Sequence, residues 1–87
     1  MTEGWASVLK PGEEWRHLGG APEQEPVEVV LRSFDLPVLF ATGPSPRGPD
    51  AKPVVVGAGG GERLTGLHFF AKPATVGGAC RILVRGV

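Results

Sequence analysis

Eighty-seven residues with nine Lys and Arg against nine Asp and Glu make one small domain, residues 1–87, with no net charge. That balance sets up no global field for nucleic acid or an acidic membrane, and no apolar run approaches the roughly 20 residues of a transmembrane helix. The single cysteine, Cys80, excludes an internal disulfide framework and fits a reducing cytoplasm.

The opening stretch MTEGWASVLKPGEEW shows neither the basic nor the apolar region of a signal peptide. Gly and Pro together make 23 of the 87 residues, a share that raises the question of disorder. The 24 Val, Leu, Ile and Phe residues answer it, because they come in compact runs that can bury a core. The longest stretch free of Gly and Pro is the ten residues 27–36, shorter than an average helix. An internal proline costs a helix about 3 kcal/mol, so the chain reads as strands throughout.

In chain order, residues 5–10 and 13–18 flank the turn dipeptide Pro11-Gly12 and read as a first hairpin. Residues 27–36 alternate Val27, Val29 and Leu31 against Glu28 and Arg32, a strand pattern. Asp35 and Leu36 make a corner before Pro37, and 38–42 (VLFAT) follow as a strand. Residues 43–53 (GPSPRGPDAKP) form the one long irregular loop. Residues 54–56, 64–72 and 80–85 complete the set. The expectation is an all-β fold, a small antiparallel β-sandwich, jelly-roll-like, of six to seven short strands.

The stretch VVVGAGGGERL, residues 54–64, places a glycine cluster after a β-branched run and invites a phosphate-loop reading. A Walker loop requires Gly-Lys-Ser/Thr after four intervening residues, but Glu62 and Arg63 stand there. The dinucleotide fingerprint fails at its third glycine, which is Glu62. Both motifs also need a following helix to present its N-terminus to the anion, and RLTGLHFFAKP does not supply one. A hairpin or bulged turn, with Glu62 and Arg63 at its solvent end, is the expectation.

No catalytic set stands out, and the chain reads as a non-enzyme. His17 and His68 lack the local spacing of a metal pair, so no metal or cofactor is expected. Alternation places His68 and Phe70 on one strand face, with Leu67 and Phe69 on the other. Cys80 lies on the inward face of an apolar strand, a packing position and not that of an activated nucleophile. An enzyme would need His17, His68 and Cys80 to converge in one cleft. The carboxylates at Glu13, Glu14, Glu23 and Glu25 do not form an acid/base pair.

Surface contacts remain. In the final strand, Cys80, Ile82 and Val84 face inward, and Arg81, Leu83 and Arg85 face out, a combination common in subunit interfaces. Trp5 and Trp15 serve either as anchors or as sugar-stacking platforms. Pro44, Pro46 and Arg47 lie in the Pro-rich loop, which loses less entropy on docking than a flexible one. The segments SVLKPGEEW, VEVVLRS, LPVLFAT and GLHFFAKP…GGACRILVRGV together resemble small β-sandwich accessory proteins of tailed phages and gene-transfer particles. That resemblance implies a non-enzymatic virion component, made in the bacterial cytoplasm, whose partners are other copies of itself and other virion proteins. It transfers no catalytic residues. A module binding a carbohydrate or other small ligand through the Trp5/Trp15 region is the alternative.

Overall fold

The structure, a computed structural model, describes residues 5–10, 14–21, 25–50, 52–75 and 80–86, and for residues 5–7 the backbone alone. The strands are β1 (Trp5–Leu9), β2 (Arg16–Gly20), β3 (Val27–Ser33), β4 (Val38–Gly43), β5 (Val54–Val56), β6 (Gly61–Gly66), β7 (His68–Pro73) and β8 (Cys80–Gly86). They form two antiparallel four-stranded sheets, β1-β8-β3-β6 and β2-β7-β4-β5, with no helix among the described residues. The all-β expectation holds, and the arrangement is consistent with a small β-sandwich.

The pairing has a simple logic. β4 pairs with β5, β3 with β6, β2 with β7 and β1 with β8, as in one long hairpin bent about the 43–53 loop. Two further pairings, β3 with β8 and β4 with β7, join alternate layers of that hairpin into the two sheets. Every connection except the β4–β5 loop therefore passes from one sheet to the other.

One cluster of buried side chains draws on both sheets. The first sheet contributes Leu9, Val29, Leu31, Cys80, Ile82 and Val84, and the second Val38, Phe40, Val56, Phe69 and Ala71. The predicted inward face of the last strand is thus observed. Removing this apolar surface from water, at about 25 cal/mol per Å², is the main force holding the sheets' strands in register.

The described residues form eight strands, not six to seven. The difference arises at residues 64–72, expected as one strand, which divide between β6 in the first sheet and β7 in the second. A Cβ at Gly66 would stand 2.8 Å from Cβ of Thr42, so glycine permits the close approach of β6 and β4 where the chain changes sheets. The Leu67 carbonyl there accepts a hydrogen bond from the Ala21 amide at 2.7 Å.

Two turn readings also need correction. β1 and β2 lie in different sheets and do not form a hairpin, while Pro11-Gly12 falls outside the described residues. The glycine cluster is not a hairpin turn either, since β5 and β6 belong to different sheets. It is a corner between sheets. Gly60 N–H bonds the Gly57 carbonyl at 2.8 Å, and Gly59 takes φ +78°, a left-handed conformation that favours glycine. Glu62 and Arg63 already belong to β6, though both are exposed.

Ser33 fastens this corner from β3. Fully buried, it donates its hydroxyl to the Gly57 carbonyl at 2.7 Å. Its backbone adds a pair of bonds, accepting from Gly59 N–H and donating to the Gly60 carbonyl, both at 3.1 Å. The 43–53 loop is likewise less irregular than expected. Ser45 and Gly48 form a β-bridge, and the Asp50 amide returns to the Thr42 carbonyl at 3.2 Å.

Candidate functional site

The outer face of the first sheet follows from alternation in its four strands. β8 presents Arg81, Leu83 and Arg85, as the sequence predicts, and β3 presents Glu28, Val30 and Arg32. β1 adds Val8 opposite Arg81, and β6 adds Arg63 opposite Val30. Register places Val30 between Arg85 and Arg63, and Leu83 beside Arg32, so each apolar residue is flanked by guanidinium side chains. Four arginines thus share one face of a chain with no net charge. Glu28 meets Arg63 only at 4.0 Å.

At one end of this face stands Phe34, 41% exposed, in the β3–β4 corner. The guanidinium carbons of Arg32 and Arg81 lie 5.9 and 5.8 Å from its ring centroid, within cation–π range. Arg81 also holds Asp35 through Nε and Nη2, at 2.7 and 3.0 Å. These bonds keep the Asp35 carboxyl below its ordinary pKa, and Asp35 in turn raises that of Arg81. Phe34, Arg32, Arg63 and Val8 are not among the contact residues expected from the sequence. Their alternation is legible there, but the strand order that gathers them is not.

Of the other predicted contact residues, Trp15, Pro44, Pro46 and Arg47 are not on this face. Pro44, Pro46 and Arg47 are exposed on the β4–β5 loop of the second sheet. Trp15 precedes β2, half-buried, with the Lys72 ammonium 5.8 Å from its ring centroid and bonded to Glu14 at 3.2 Å. The side chain of Trp5 lies outside the described residues.

His17, His68 and Phe70 share one face of the second sheet, with His17 exposed, His68 half-buried and Phe70 buried. A register shift between His17 and Gly19 re-aims β2, so that His17 opposes Phe70 while Gly20 opposes His68. His17 Nε2 and His68 Nδ1 consequently meet at 2.9 Å, and the His17 ring packs over Phe70 with centroids 5.3 Å apart. Burial and the neighbouring His68 lower the pKa of His17, in that order of weight. Cys80 does not join them. It is buried in the first sheet, where desolvation raises its thiol pKa, with the Asp35 charge adding to the effect.

An apolar recess opens between the sheets at Leu18, Val27, Val29, Phe69 and Val84, with a volume of about 100 Å³. Gly19 and Gly20 complete its wall. Among the described residues no helix is long and apolar enough to cross a membrane, and no group of three or more His, Cys, Asp or Glu is placed to hold a metal. No protein-family model matches the chain, and no curated protein or solved structure matches it either.

Proposed function

We propose that this chain is a non-enzymatic structural subunit of a phage-like particle, which oligomerises and docks on the capsid or tail surface as a decoration, spike-base or adaptor protein. The observation that carries this reading is the outer face of the first sheet, where Leu83, Val30, Val8 and Phe34 are interleaved with Arg32, Arg63, Arg81 and Arg85. Arginine and aromatic residues are enriched at protein–protein interfaces, and a rigid sheet presents them without ordering a loop.

The finer fold reading belongs to the same proposal. Strand orders 1-8-3-6 and 2-7-4-5 are those of a jelly roll, an architecture found in viral capsid and lectin domains. This is support by analogy of fold, which constrains function only loosely. Cys80, buried in the first sheet while His17 and His68 lie in the second, supports the non-enzymatic part.

Light scattering on the purified chain, together with pull-down against capsid and tail proteins, tests the reading. An oligomer or particle-bound subunit is expected, and Leu83→Glu should abolish that association while keeping the circular dichroism spectrum. A stable monomer that ignores both sets of proteins overturns it.

A second reading, a module that binds a glycan or small apolar ligand, is favoured by the recess at Leu18, Val27 and Phe69. Its volume suits a short aliphatic group better than a sugar ring. Trp15 offers a weaker platform, because Lys72 occupies one face of its ring. Glycan-array binding abolished by Trp15→Ala, with the fold intact, would instead favour the sugar-binding form.

A further inference from the structure

We propose that His17 and His68 form a two-imidazole site for one divalent transition-metal ion of the zinc, nickel and copper class. The site lies on the face of the second sheet shared with Phe70 and is independent of the assembly reading.

The two ring nitrogens face one another end-on. Their 2.9 Å separation, with ring centroids 5.1 Å apart, is about the longest centroid distance such a contact allows. In the metal-free pair one nitrogen donates a proton and the other accepts it. Two imidazole nitrogens directed at one point, from strands distant in sequence, supply part of the ligand set of an imidazole-binding cation. A zinc–nitrogen bond is about 2.0–2.1 Å long, so two nitrogens on a tetrahedral ion stand about 3.4 Å apart. The pair must part by roughly half an ångström and turn its lone pairs toward the ion.

The surroundings divide that movement unequally. His68 is held in place: a Cβ at residue 20 would stand 2.5 Å from its Cε1 and Nδ1, so the ring lies directly against Gly20. His17 is exposed and rests on Phe70, so its ring is the one that swings open. The ring that donated the shared proton places it on its own other nitrogen through solvent, leaving both facing nitrogens as neutral ligands. The remaining coordination positions are open to water.

The test is calorimetric titration of tag-free protein with zinc chloride and with nickel chloride at pH 7.5. His17→Gln and His68→Gln are run alongside, their folding checked by circular dichroism. One ion per chain is expected, with affinity weakened at least tenfold in either variant and a change in imidazole nitrogen shifts of both histidines on binding. Absence of saturable binding up to millimolar metal overturns the proposal. So does binding that survives both substitutions, since the ion would then sit elsewhere.

Discussion

Arg81 in β8 and Asp35 in the β3–β4 corner are joined by a two-pronged ion pair that ties a turn between the sheets to a central strand of the first. The corner amide of Phe34 reinforces the tie by bonding the Arg81 carbonyl at 3.1 Å. Both charged groups are open to solvent, where ion pairs are screened and contribute little. The pair therefore orients the Phe34 ring more than it stabilises the fold.

Arg81→Lys should keep the charge but lose the fork geometry. Its melting temperature should change little, while the docking proposed for the first sheet should weaken. The Asp35 carboxyl has a lowered pKa, so its contribution is present above the unfolded value near 3.9 and is lost as pH falls through the folded one. Carboxylate NMR titration of Asp35, in the parent and in Arg81→Lys, checks the assignment. The titration midpoint should move upward in the variant.

Ser33→Ala removes the buried hydroxyl that holds the Gly57 carbonyl. About 1 kcal/mol of stability should be lost, the usual contribution of one such bond. Urea unfolding measures it. The loss should be accompanied by faster amide exchange at Gly59, which bonds the Ser33 carbonyl.

Gly66→Ala should be worse than a surface glycine change, because the new methyl meets Cβ and Cγ2 of the Thr42 side chain at 2.8 and 2.9 Å. Overpacking of this kind costs about 1–3 kcal/mol. Gly57→Ala, where the added carbon meets nothing within 4 Å, is the control and should unfold at nearly the parent urea concentration.

Acid should destabilise the protein through His17. Its pKa is lowered from 6.5 in the folded state, so the unfolded chain binds the proton first as pH falls. Stability from this residue is whole above about 6.5 and declines as pH drops toward the folded value. His17→Gln should flatten that part of the curve of melting temperature against pH. His68, Phe70 and Lys72 on β7 are unchanged in the comparison.

How much of this is legible in the sequence depends on the range of the signal. Val29, Leu31, Ile82 and Val84 announce their inward face by alternation, a local property, and all four are buried. The failure of VVVGAGGGERL as a phosphate loop is also local, a matter of which residues stand at fixed offsets. Pairing between distant strands leaves no such mark. In the sequence Gly66 is a glycine inside one strand, and only the nearness of Thr42 makes it the point where two strands divide. His17 and His68 carry no short-range motif, yet a bulge in β2 and the absence of a side chain at Gly20 bring them together. Metal-spacing rules describe neighbours along the chain, and sheets make neighbours across it.

The nested pairing also dictates an order of assembly. Register joins Phe40 to Val54 at the inner end of the hairpin and Trp5 to Val84 at the outer. The entropy lost on closing a loop grows with its length, so inner pairs form more readily than outer ones. β1 is then among the last strands to be seated, and until it arrives the edge of β8 stands open. During that interval the β1 of another chain can take the vacant place, so refolding at high concentration should favour strand-exchanged dimers.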